Sequence, residues 1–154
     1  FMSLLNSADS YFIVGAHVLG APLVKKLGLE PISLGYIIVG EGGAASVMGR
    51  AFPIPFSKPE LAATHALAAE YLGMHFVYLE AGSGVMQSVP PHMIKMVKSV
   101  IGVPLIVGGG IRTAPQVKKI VGAGADIVVT GNVTEGQGNA RDKLKELIRG
   151  VKTR

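Results

Sequence analysis

Five short runs rich in β-branched and aromatic residues recur along the chain: Phe1–Leu5, Gly35–Val39, Phe76–Ala81, Pro104–Gly108 and Asp126–Thr130. Three of them contain YIIV, PLIV and DIVV, which are apolar at nearly every position instead of at alternate ones. A strand that is apolar on both faces is buried on both, the condition of a parallel sheet covered by helices. The segments between the runs carry helix signals. Ser57-Lys58-Pro59-Glu60 is a Ser-x-x-Glu capping box with Pro in the first turn, and its helix runs through LAATHALAAEYL to a stop at Gly73. Thr113-Ala114-Pro115-Gln116 is a second box, Ser88-Val89-Pro90-Pro91 opens HMIKMVKSV, and Ala140–Val151 places Leu144, Leu147, Ile148 and Val151 at helical spacing. Strand and helix thus alternate five times at roughly 30 residues per unit, the size of a βαβ unit with a right-handed crossover.

Two parallel architectures compete for this pattern. A doubly wound sheet carries its phosphate loop after the first strand, within a G-x-G-x-x-G turn. Here the first run is followed by Asn6-Ser7-Ala8-Asp9-Ser10, and the glycine-rich strand ends are the last two, Gly108-Gly109-Gly110 and Thr130-Gly131-Asn132. A (β/α)8 TIM barrel binds phosphate with the loops after its final strands and a nearby helix N-terminus. The expected fold is therefore α/β, a (β/α)8 TIM barrel of which about five C-terminal βα units are present. A complete barrel takes about 250 residues, and the chain has 154. Residues 1–154 then read as a single partial TIM-barrel domain, opening at Phe1 inside a strand.

Composition excludes other classes. With 49% hydrophobic and 16% charged residues, the chain is built to bury a core. Zero cysteines remove disulfides, thiolate metal sites and a Cys nucleophile, and fit a reducing, cytoplasmic setting. No apolar run approaches the roughly 18 residues of a membrane span, and the N-terminal residues lack a basic leader and a cleavage pattern. A net charge of +5 raises nucleic acid as a partner, but aromatics are 6% and the lysines scatter along helices, so none is expected. The basic excess suits an anionic small substrate.

Three constellations carry chemistry. Val107-Gly108-Gly109-Gly110-Ile111-Arg112-Thr113 lets backbone amides approach an anion ahead of a capped helix, whereas a plain strand-to-helix turn needs one glycine and not three. Thr130-Gly131-Asn132 would complete the cradle, with Gly131 and Asn132 donating. In Phe76-Val77-Tyr78-Leu79-Glu80-Ala81-Gly82-Ser83-Gly84, alternation puts Tyr78 and Glu80 on one face, opposite Val77 and Leu79. A carboxylate at the C-terminal end of a buried strand is costly unless it is used, either on a substrate hydroxyl or paired with Arg or Lys. His17, His65, His75 and His92 lack metal-ligand spacing, and Met74, Met86, Met93 and Met96 read as packing. Gly40-Glu41-Gly42-Gly43 reads as a mobile active-site loop, and Arg50 as an anion contact or a surface cation.

Taken together, FMSLLNS, VLGAPLVKKLGLEPI, GYIIV, KPELAATHALAAEYLGM, YLEAGSG, VPLIVGGGIRTAPQVKKIVGAGADIVVTGN and the C-terminal helix resemble the geranylgeranylglyceryl phosphate synthase family, including the heptaprenylglyceryl phosphate synthases. The resemblance covers nearly the whole chain and favours archaeal members. It implies a modified (β/α)8 barrel and a Mg2+-dependent prenyltransferase that joins a polyprenyl (geranylgeranyl) diphosphate to the 3-hydroxyl of sn-glycerol 1-phosphate in archaeal lipid biosynthesis. It implies that Tyr78, Leu79, Glu80, Ala81, Gly82, Ser83 and Gly84 hold the glycerol moiety, with Glu80 catalytic, and that Gly109, Gly110, Gly131 and Asn132 hold the phosphate. The family's Mg2+ and diphosphate site is built on its first strands, and the resemblance places Phe1 in the fourth, so no metal ligand is carried over. Gly40-Glu41-Gly42-Gly43 departs from the more usual Glu-Pro-Gly-Gly. Homo-oligomers are expected. Two other readings compete: a non-catalytic phosphate-binding partial barrel that pairs through open sheet edges, and another phosphosugar-type barrel enzyme.

Overall fold

The structure, a computed structural model, describes residues 1–131 and 139–152. Its strands are β1 (Met2–Leu4), β2 (Leu34–Ile38), β3 (Phe76–Glu80), β4 (Leu105–Gly108) and β5 (Ile127–Val129). The helices are α1 (Ala16–Lys26, entered through a π-helical turn at Tyr11–Gly15), α2 (Gly43–Met48), α3 (Pro59–Tyr71), α4 (Pro91–Lys98), α5 (Ala114–Gly122) and α6 (Ala140–Lys152). All five strands lie in one sheet, ordered β1-β2-β3-β4-β5, and every pair is parallel. This is an α/β fold, as the spacing of the apolar runs requires. Among the described residues, no helix is long and apolar enough to cross a membrane.

The sheet has two unlike faces. Ile37, Val39, Val77, Leu79, Leu105 and Val107 form the core with Ala62, Ala66 and Ala69 of α3, Met93, Ile94 and Val97 of α4, and Val117 and Ile120 of α5. The alanines of α3 recur at helical spacing and let the helix lie close to the sheet. Gly35 of β2 completes that fit, because a Cβ there would come within 2.8 Å of the Ala69 methyl. Residues of the other parity in β2 and β3, Tyr36, Ile38, Tyr78 and Glu80, project from the opposite face.

Two expectations are corrected. Ser57 does not cap α3: the N-cap is Lys58, with no side-chain hydrogen bond. Pro59 takes the first helical position, and the residue before a proline is held out of the helical region, so the hydroxyl of Ser57 lies one residue too early. The Thr113 box does form, with Gln116 Oε1 accepting from the Thr113 amide at 3.0 Å. Within this chain, Ile127 and Val129 of the DIVV run are each 41% exposed. Among the described residues β5 pairs with β4. Gly40–Gly43 forms a packed turn in place of a mobile loop, with the Gly42 amide donating to the Ala81 carbonyl at 3.0 Å.

Asn6, just beyond β1, is buried and links the strand ends. Its Nδ2 donates to the carbonyls of Ile38 and Phe52, each at 2.8 Å, and its Oδ1 accepts from the Ile38 amide at 3.1 Å. Replacing it with Ala strands buried backbone groups, each worth about 1–3 kcal/mol. Asn6→Ala in the full-length protein is therefore expected to lose about 2–4 kcal/mol by urea unfolding, and a loss below about 0.5 kcal/mol would show the bridge to be dispensable.

Candidate functional site

Glu80 ends β3, and the parallel register sets it beside Ile38 of β2 and Gly108 of β4. It is buried, with 7% of its surface exposed. The same register pairs Tyr36 with Tyr78, two residues earlier, so both rings stand on the Glu80 face. The rings meet edge to face with centroids 4.9 Å apart, and both phenols hydrogen bond to the Glu80 carboxylate. A third donor is the amide of Gly82, 2.7 Å from Glu80 Oε1. Burial, then the negative charge of Glu80 and the hydrogen bond to it, hold both phenols well above the ordinary tyrosine range. The proximity of Tyr36 raises Tyr78 further.

Packing accounts for every member of the glycine triplet. A Cβ on Gly108 would meet the Tyr78 hydroxyl, and one on Gly109 would lie 2.6 Å from the Gly82 amide nitrogen and 2.7 Å from Glu80 Oε1. One on Gly110 would come within 2.9 Å of the Gln87 backbone. The number of glycines therefore gives no argument for an anion, contrary to the sequence reading. The argument rests instead on where the turn lies. Gly109, Gly110, Ile111 and Arg112 share an open pocket of about 180 Å³ with Tyr78, Glu80, Ser83, Val129, Thr130 and Gly131. Thr130 Oγ1 donates to the Ile111 carbonyl at 2.9 Å, tying the end of β5 to this turn, and α5 begins two residues beyond Arg112, which lines the pocket.

Of the residues expected at the site, Tyr78, Glu80, Ser83, Gly109, Gly110 and Gly131 line one pocket. Leu79 and Ala81 do not: both are fully buried in the core on the opposite face. Gly82 contributes its amide to Glu80 and is packed against the backbone of Gly42 and Gly43. The Gly84 carbonyl accepts from Arg112 at 3.2 Å. Asn132 lies outside the described residues. Glu80 is paired with tyrosines and an amide, not with the Arg or Lys that a structural carboxylate was expected to find.

Sequence reasoning quoted the segments that hold Tyr36, Arg112 and Thr130 but gave these three residues no role of their own. The signal for Tyr36 was the shared offset of GYIIV and FVYLE, which becomes informative only once the register is known. Arg50 lies away from the pocket, on Asp9 at 3.2 Å. Met93 is core, but Met86 and Met96 are exposed, so packing does not explain them. Among the described residues no three His, Cys, Asp or Glu side chains gather in a way that would hold a metal ion.

The class so defined is an α/β protein with a carboxylate and an adjoining glycine turn lining one pocket at the C-terminal ends of parallel strands. The chain belongs to the PcrB family, whose model matches residues 1–151. It is 58% identical over 155 residues to geranylgeranylglyceryl phosphate synthase of Thermococcus kodakarensis, covering 99% of this chain and 62% of that protein. To the synthase of Thermofilum pendens it is 54% identical, covering 99% of this chain and 59% of that protein. The crystal structure of (S)-3-O-geranylgeranylglyceryl phosphate synthase from Thermoplasma acidophilum, in complex with substrate sn-glycerol-1-phosphate, matches with a TM-score of 0.95 at 37% identity, covering 98% of this chain and 61% of that one. The chain thus spans about three-fifths of the length of these relatives.

The tyrosine pair makes stability depend on alkaline pH. A group whose ionisation is raised in the folded state keeps its full contribution below its unfolded value, about 10 for tyrosine, and loses it as pH rises toward the folded value. Unfolding temperature is expected to fall above about pH 10, and to fall less steeply in Tyr36→Phe. An identical slope in that variant would remove Tyr36 from the effect.

Proposed function

We propose that the protein carrying this chain is a prenyltransferase that joins a polyprenyl diphosphate, geranylgeranyl diphosphate in the first instance, to the 3-hydroxyl of sn-glycerol 1-phosphate. The observation that carries this reading is the pocket lined together by Glu80 and the Gly109–Gly110 turn. It occurs in a chain that aligns closely with a synthase bound to sn-glycerol-1-phosphate. The five strands are read as consecutive units of a (β/α)8 barrel, and residues 1–154 as part of that single domain. The protein acts in the cytoplasm as a homo-oligomer.

In this reading the phosphate accepts hydrogen bonds from the amides of Gly109, Gly110 and Gly131 and from Asn132, with the N-terminal dipole of α5 behind them. The glycerol lies across Tyr78 and Ser83 toward Glu80. The 3-hydroxyl donates to the Glu80 carboxylate, which the Gly82 amide and the two phenols hold in place. As that oxygen attacks the first carbon of the prenyl chain, the carbon–diphosphate bond breaks, the ether bond forms and the proton passes to Glu80. Fixing the attacking oxygen supplies orientation, and the carboxylate supplies base catalysis.

Mg2+ enters by family resemblance alone. The single carboxylate lining the pocket among the described residues already serves three donors, so these residues do not form a Mg2+ site.

Purified full-length protein with sn-glycerol 1-phosphate, geranylgeranyl diphosphate and Mg2+ is expected to yield the ether, and absence of product would overturn the assignment. Glu80→Gln keeps the shape and removes the charge. It is expected to lower turnover by about 10²-fold or more with little change in unfolding temperature, and near-normal turnover would take Glu80 out of the chemistry.

A further inference from the structure

We infer that Arg112 is a positioning residue that latches the loop after β3 to the turn after β4, so that the hydroxyl-reading and phosphate-facing ends of the pocket act as one unit. The inference rests on the proposed sn-glycerol 1-phosphate site and gives a role to an arginine that the glycine motif contains but for which it assigned none.

Arg112 is held at both ends. Its amide donates to Gln116 Oε1 at 2.9 Å, which fixes the backbone at the mouth of α5. Its guanidinium crosses to the other loop, where Nη2 donates to the carbonyls of Gly84 and Val85 at 3.2 and 3.1 Å. Nη1 reaches Met86 Sδ at 3.5 Å. Val85 is buried, Met86 is 78% exposed, and Gly84 has nothing within 4 Å of where a Cβ would stand. Ser83, which lines the pocket, sits on this loop directly after Gly82, whose amide holds Glu80.

The charge on Arg112 matters as well as its reach. It is the one cation lining the pocket among the described residues. Within that set it pairs with no carboxylate. Neutral carbonyls orient the guanidinium without cancelling its charge, so its field remains available to a phosphate. A phosphate in the pocket and an ordered loop then favour the same guanidinium position. Lysine keeps the charge but lacks the planar fork that reaches two successive carbonyls.

The test uses Arg112→Met and Arg112→Lys in the full-length protein, reading hydrogen exchange across residues 82–88 and steady-state kinetics together. Arg112→Met is expected to speed exchange across 82–88 about tenfold or more without ligand. It should also raise KM for sn-glycerol 1-phosphate about tenfold, with kcat changed far less. Arg112→Lys is expected to recover part of the KM while its loop exchanges as fast as in the Met variant. Exchange in α3 serves as the control for folding, and if the Met variant fails it, the Lys variant decides. Unchanged exchange across 82–88, a lysine variant that matches the native protein in both readouts, or fast exchange with an unaltered KM would each overturn the latch. Failure of the native protein to bind sn-glycerol 1-phosphate would overturn the proposed substrate, while the exchange measurement still decides whether Arg112 holds the loop.

Discussion

A carboxylate placed at the end of a buried strand has to be solvated by the protein, and the surroundings of Glu80 are arranged around that need. Leaving such a charge unpaired in an apolar interior costs far more than a domain's margin of stability. The Gly82 amide and the hydroxyls of Tyr36 and Tyr78 meet it instead. Each donor imposes its own condition. The tyrosines reach Glu80 because β2 and β3 are in register. The Tyr78 ring fits only beside a glycine at position 108, and the Gly82 amide is in place because Gly43 and Gly109 allow other backbone to close around it. Several of the glycines in the sequence are thus consequences of one buried charge.

The two ends of the sheet divide the work. At the N-terminal ends of β4 and β5, Asp126 Oδ2 accepts from the Leu105 amide at 2.9 Å and from Lys98 Nζ at 2.8 Å, a closed set of polar bonds that pins adjoining units. At the C-terminal ends the polar groups of Glu80, Ser83 and the glycine turn face a pocket. The core between the two ends lets the pocket hold partly exposed polar atoms without loosening the sheet.

How much of this the sequence disclosed depended on whether a feature was local. Uninterrupted apolar runs reported the parallel sheet, because burial on both faces is written into each strand by itself. The Ser57 box misled because a proline two residues on shifted the helix start. Glu80 was legible from alternation within FVYLE. Tyr36 was not, since its partnership with Glu80 crosses from one strand to the next and needs the register. The glycine triplet was noticed for phosphate, yet its immediate cause is the crowding of Tyr78, Glu80 and Gln87. Arg112 escaped because an arginine after a glycine turn has no periodic signature, and its role comes from two carbonyls 27 and 28 residues upstream.

The strand order has a consequence for how the chain comes into being. Among the five described strands each pairs with its neighbour in sequence, so each of these closures spans a single strand–helix unit. Entropic cost rises slowly with the length of the loop to be closed, so short closures are the cheaper ones and can form early. During synthesis the sheet can therefore lengthen from one side as residues emerge, each new strand templated by the last. The pocket becomes complete only when β5 docks on β4 and brings Thr130 to Ile111. Competence for binding thus arrives at the end of assembly, not at the beginning.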